Sequence, residues 1–261
     1  MRTGNPVLRE GVFQNGMDLP RWDELASSKA PAGVMTVRGA AIKSAILLGL
    51  CSITAVLAWS AITANAGLLM PLTMGGAVIG LVLGLVMFFW QKGAAFLSPI
   101  YAIAQGAFVG GISIIAANYG LQKGVALGAG GVFQAVFITF GIFAAMLMAY
   151  VAGIIRLRGV VAKMVIVGTM GVMFAYLATM LLNLFGMQMP YIHDSGPIGI
   201  GFSIFVVVLA SLNLVLDFQF IEDGAAAGAP KHMEWYAAFG LLATLVWLYI
   251  EILRLLSKLR K

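Results

Sequence analysis

Two carboxylates sit inside apolar runs of this 261-residue chain, Asp217 in "SLNLVLDFQFIED" and Glu251 in "LYIEILRLL". A charge in hydrocarbon costs ~2.5–3.5 kcal/mol even on the lenient insertion scale, so an acid placed there faces protein or a wet cavity and marks an ion path or a proton relay. Asn213 precedes Asp217 by four residues and shares its helical face. Around Glu251 the stripe Gly240, Thr244, Trp247, Glu251, Arg254 and Lys258 advances in steps of three and four, while Leu241, Leu245, Leu248 and Ile252 occupy another face. That pattern aims Glu251 away from lipid. Plainer roles stay open for both acids: an intrahelical pair with Arg254 for Glu251, and an interfacial charge at a helix end for Asp217. Spacing does not decide whether the two meet. They approach only if the sixth apolar helix runs on through Glu222 or the seventh starts late.

Other chemistries have little to work with. The single cysteine, Cys51, excludes an internal disulfide and any zinc site built on several cysteines. His193 and Asp194 fall in a turn-rich stretch with Pro190 and Gly196, and His232 adjoins Lys231 at a helix start. No serine stands in a nucleophile motif, so the chain reads as a non-enzyme with no resident cofactor. Gln105, Gln134, Asn183 and Asn213 read as interhelical hydrogen-bonding groups. Lys43, near the start of the first span, reads as a side chain snorkelling to the interface.

The elements that hold these residues follow from composition. Hydrophobic residues make up 61% of the chain and charged residues only 10%, too few to cover a water-facing surface. Seven apolar runs can each cross a bilayer as a helix: about 40–63, 70–90, 97–118, 131–154, 160–185, 197–220 and 234–257. Residues 1–39 form a polar tail without the apolar core of a signal peptide, and 40–261 the transmembrane domain. The Lys and Arg bias favours a cytoplasmic N-terminus, against which the basic C-terminus dissents. The net charge of +6 sits at helix ends and in the tails, which is a topology signal and no nucleic-acid patch. Small residues recur every four positions at Gly76, Gly80 and Gly84, at Gly106 and Gly110, and at Gly141, Ala145, Ala149 and Gly153. Such ridges let helices pack closely.

The stretches "MTVRGAAIKSAILL", "SPIYAIAQGAFVGGIS", "GVFQAVFITFGIFAAML" and "LDFQFIEDGAAAGAPKHMEWYAAFGLLATLVWLYIEILRLL" resemble the Bax-inhibitor (transmembrane Bax inhibitor motif) family, most closely its bacterial branch, over most of 34–256. The resemblance implies six helices wrapped around a central C-terminal one. It also implies an acid pair on helices six and seven that senses pH beside a cation path. Asp217 with Gln219 matches the helix-six motif, and "LYIE" puts Glu251 at the second acid. Three features depart from that pattern. The second acid is Glu, Gln105 stands where relatives often carry Glu, and the second span offers no basic residue to the helix-six acid.

Two carboxylates in one low-dielectric site cannot both ionise easily and titrate as a unit. Ionised together, they repel or bind a hard cation through their oxygens. The expected protein is therefore a pH-sensitive cation leak channel of the bacterial inner membrane. Calcium is the implied cargo, Asp217 and Glu251 are transient ligands, and Asn213, Gln219, Gln105 and Arg254 are supporting groups. Two alternatives are a stress-protection protein that restrains a membrane protease and a proton-coupled carrier.

Overall fold

The computed structural model describes residues 33–121, 125–184 and 196–260. Seven long helices run through them: α1 (Val37–Ala64), α2 (Leu69–Phe89), α3 (Ala94–Asn118), α4 (Gly128–Val151), α5 (Val160–Leu184), α6 (Pro197–Ala226) and α7 (Met233–Leu259). Each is long and apolar enough to cross a membrane. In hydrocarbon every backbone polar group must be satisfied within the chain, and apolar runs of this length do so as helices. Short 3₁₀ turns at Ala66–Leu68 and Gln91–Gly93 join α1 to α2 and α2 to α3. Polar groups and glycines set the ends. Thr36 caps α1 by accepting a hydrogen bond from the Gly39 amide at 2.9 Å. Gly153 after α4 and Gly228 after α6 take positive φ (73° and 67°), the left-handed turn that ends a helix at little cost only with glycine.

Most helix ends fall within three residues of expectation, and α1 and α3 each start three early, at Val37 and Ala94. α4 begins three residues early, at Gly128. α6 runs six residues further, to Ala226, so half of the expected 221–233 connection is helical. The extension is held by burial: Ile221 and Glu222 are both 4% exposed.

Packing follows the glycine ridges where they meet a neighbour. α1 and α2 both lie on α3; α7 packs against α1, α3, α4 and α6; α6 also carries α4 and α5. A Cβ on Gly76 would come within 2.6 Å of the Ala104 carbonyl, and one on Gly110 within 2.6 Å of the Ala55 carbonyl, so these backbones touch. The α4 ridge is a correction: Gly141 and Gly153 face open space, and Gly141 and Ala145 are exposed. Small residues at that spacing permit close packing but do not supply a partner.

The two faces of the bundle can be told apart by their hydrogen bonds. On one, Met35 donates to the Ala229 carbonyl (2.7 Å), which ties the start of α1 to the α6–α7 connection. On the other, Val125 donates to the Ser257 carbonyl (3.1 Å), which ties the α3–α4 connection to the end of α7. The start of α1 and the end of α7 therefore lie on opposite faces. The expected tail up to residue 32, His193, Asp194 and Lys123 lie outside the described residues, as does the side chain of Asn183.

Candidate functional site

The polar stripe of α7 faces α5 and α6. Glu251 is 1% exposed. Arg254 Nη1 donates to both of its oxygens (2.8 and 2.9 Å), Tyr176 of α5 donates to Oε1 (2.9 Å), and Trp247 Nε1 donates to Oε1 at 3.3 Å. The Arg254 guanidinium also donates to the Tyr176 hydroxyl and lies 4.7 Å from the centre of its ring. The intrahelical pair read from the sequence is thus present, and α5 closes it with one hydroxyl. A carboxylate with three donors and a counter-charge is a satisfied buried ion, which is the condition for keeping one at low dielectric.

Asp217 is set differently. It faces Gly240 and Thr244 of α7: its Oδ1 lies 4.0 Å from where a Gly240 Cβ would stand, and the Thr244 side chain is its polar neighbour. Its Oδ2 is buried with no hydrogen-bond partner. Glu251 lies seven residues beyond Thr244, ~10 Å further along α7 at 1.5 Å per residue. This conformation does not bring the two acids into one site. α6 does run on through Glu222, but that carries the chain past the level of Asp217 and leaves Asp217 opposite the start of the stripe.

The supporting groups separate in the same way. Asn213 donates to Thr169 of α5 (2.7 Å) and back to the Leu209 carbonyl (2.8 Å), the interhelical bond expected of it. Gln219 donates to the Leu157 carbonyl at 3.0 Å, and its Oε1 is buried without a partner. Gln105 points at the Gly80 ridge of α2, away from both acids, with its Oε1 also unpartnered. Gln134 is exposed on α4, a correction to its expected interhelical role. Read from the face holding the α6–α7 connection, the α5–α6–α7 interface carries Gln219, Asp217 with Thr244, and Asn213 with Thr169. Further on come Tyr176, Glu251 and Arg254, and last Lys258, which donates to the Gly199 carbonyl and the Ser203 hydroxyl, both at 3.0 Å. Val206 and Ala210, on the α6 face between Ser203 and Asn213, are fully buried and interrupt this polar line. Among the described residues no three or more His, Cys, Asp or Glu side chains gather as a metal cage. A cation would meet separate oxygens here.

Two buried acids escaped the sequence reading. Glu234 is 0% exposed and knots the first turn of α7 to the start of α1. The Thr36 amide and hydroxyl each donate to its Oε1 at 2.9 Å, Lys231 reaches Oε1 at 2.8 Å, and Lys43 bonds Oε2. Lys43 is therefore an internal partner of Glu234, and the snorkelling expected of it does not occur. A Cβ on Gly39 would stand 2.1 Å from Oε1 of Glu234, so that glycine makes room for the carboxylate. Thr36, Gly39 and Lys43, at i, i+3 and i+7, were visible in "MTVRGAAIK" as one helix face. What the sequence withheld was the acid 191 residues after Lys43. Glu222 accepts from the Tyr150 hydroxyl and, at 3.4 Å, from Arg156 Nη2, which ties α6 to the end of α4. Its only signal was a charge in what looked like a loop.

A bundle of seven helices, each long and apolar enough to cross a bilayer, with its acids buried in separate polar knots, defines a multi-pass membrane protein. The family model described as "Bax inhibitor 1 like" matches residues 5–261, and the chain belongs to that family. No curated protein and no solved structure matches the chain.

Proposed function

We propose that this protein is a pH-sensitive cation leak channel whose route follows the α5–α6–α7 interface, with Asp217 as its free acid and Glu251 as its tethered one. Calcium is the cargo that the family resemblance implies, and the location it implies is the bacterial inner membrane, with the N-terminus cytoplasmic. The observation that carries this reading is the unpaired, buried Oδ2 of Asp217. Buried polar atoms are otherwise almost always bonded, and exceptions ask for a role. An ionised Asp217 offers a hard oxygen ligand to a passing cation, and protonation withdraws it. Asn213 and Gln219 would supply neutral oxygens on either side. Because Val206 and Ala210 close the line between Asn213 and Ser203, conduction requires α6 to move against α7. The Glu251–Arg254 pair, shared with Tyr176, would be the tie resisting that movement. In this reading the remaining helices wrap around α7 and shield it.

A second reading has its own observation. Glu251, Glu234 and Glu222 are each satisfied by donors from other elements, as acids would be in a protein whose charges only hold it together. The family resemblance then points to a stress-protection role through a membrane protease. Purified protein in calcium-loaded liposomes separates the readings. A channel releases calcium unaided and without saturation; a carrier saturates and shows competition; a protease-restraining protein releases none.

A further inference from the structure

One face of α6 carries Gly199, Ser203, Val206, Ala210, Asn213 and Asp217 in steps of three and four, which keep residues on one side of a helix. It runs antiparallel to the α7 stripe from Gly240 to Lys258 and packs on that helix. The two faces are fixed against each other at both ends. At one, Asp217 Oδ1 lies 4.0 Å from where a Gly240 Cβ would stand. At the other, Lys258 Nζ donates to the Gly199 carbonyl and the Ser203 hydroxyl, both at 3.0 Å. Between these ends the seam is about five turns long, ~27 Å at 1.5 Å per residue, close to the ~30 Å of a hydrocarbon core. An acid with one unpaired oxygen stands at one end and an ammonium at the other.

A lysine in the last turn of a membrane helix can reach the headgroups and keep its charge in water. Arg260, two residues on, is exposed in that way. Lys258 instead is 1% exposed, as is Ser203. Its seat is a carbonyl and a hydroxyl oxygen, the hard neutral ligands that a metal cation also takes. One turn inward, the Arg254 guanidinium is matched by Glu251 at 2.8 Å. The ammonium of Lys258 therefore occupies oxygens that a cation moving along this seam would use, and it repels that cation as well.

We infer that Lys258 is a tethered plug at the far end of the cation route, and that the route opens only when the ammonium leaves Gly199 and Ser203. The inference rests on the reading of the α5–α6–α7 interface as that route. Val206 and Ala210 close the middle of the seam by packing; Lys258 closes its end by charge. The tether belongs to α7 and the seat to α6, so the movement that parts these helices at Val206 and Ala210 also unseats the ammonium.

The test measures calcium release from loaded liposomes that hold the full chain. Lys258→Met keeps the length of the side chain and removes its charge. It raises the initial rate roughly tenfold or more, because a like unit charge ~4 Å away at an effective dielectric of about 20 disfavours a cation by more than that factor. Arg260→Gln removes an exposed, screened charge at the same end and leaves the rate within about twofold. A charge-restoring pair separates a plug from a loosened bundle. In a Cys51→Ala chain, Lys258→Cys is leaky. Coupling its thiol to 2-aminoethyl methanethiosulfonate puts an ammonium back and returns release to the native rate, whereas the neutral methyl methanethiosulfonate leaves it leaky. Cys51→Ala alone responds to neither reagent. Release from Lys258→Met no faster than native, closure by both reagents alike, or an equal rise in Arg260→Gln overturns the plug. Where the native chain releases calcium and the Lys258 variants change nothing, the plug fails and the route stands. Where no chain releases any, the route fails and the plug with it.

Discussion

Replacing Glu251 with Leu removes one member of a buried ion pair and leaves the other in place. Arg254 has 17% side-chain exposure and sits against Tyr176, so its charge would lose its only described carboxylate partner. Breaking a buried pair on one side costs ~3–5 kcal/mol, whereas exchanging both partners for apolar residues of similar volume is often neutral or stabilising. For a chain of this size ~3 kcal/mol lowers the unfolding midpoint by roughly 6–12 °C. Arg254→Met should lose a similar amount, since it strands the carboxylate. The double variant should recover most of the loss. What remains is the Tyr176 hydroxyl, left without either partner at ~1–3 kcal/mol, and adding Tyr176→Phe should recover that as well. Cys51, the sole cysteine and 5% exposed, reports the transition when a thiol-reactive dye gains access on heating. If the double variant loses the sum of the single losses, the two residues act independently and do not form a coupled buried pair.

Three further expectations concern other parts of the bundle. Gly39→Ala drives a methyl into the Glu234 carboxylate and should lower the same unfolding midpoint by several degrees, consistent with ~2 kcal/mol or more for a disrupted buried network; an unchanged midpoint would show that α1 and α7 are not knotted there. Reporter fusions after residues 66 and 157 should read outside and inside respectively, and a fusion after Lys261 should read outside, because the start of α1 and the end of α7 lie on opposite faces. A cytoplasmic signal at the C-terminus would contradict the full crossing of α7. Asn213→Leu should cost only ~0.6 kcal/mol, the average for a hydrogen bond between membrane helices, and a much larger loss would mean that Asn213 does more than join α6 to α5.

The spans and the face of α7 were legible because both are local: an apolar run of fixed length, and a stripe at steps of three and four. The partners were not. Glu251 could be paired with Arg254 from spacing alone, because three residues on a helix are neighbours. Tyr176 of α5 could not be found, since nothing local records which helix lies opposite. The expected pairing of Asp217 with Glu251 came from resemblance. The structure instead puts Gly240 and Thr244 across from Asp217, because α6 and α7 run antiparallel from the connection at 227–232 and set residues at similar distances from it side by side. Lys43 was misread and Glu234 missed for the same reason: Lys43 looked like an interfacial charge, and the pair becomes visible only when α1 and α7 meet at the Thr36 cap.

The central claim is that Asp217 is the free acid on a cation route, and calcium release from liposomes as a function of pH tests it most directly. Asp217→Asn keeps the shape, removes the charge and the titrating proton, and should both reduce flux and flatten its pH dependence. Glu251→Gln, ~10 Å away along α7, should alter flux through the Arg254 tie while leaving the pH response carried by Asp217, so the two effects on the profile should combine as separate contributions. An unaltered profile in Asp217→Asn would contradict the account. So would a double variant no different from either single one, which would place both acids in one coupled site.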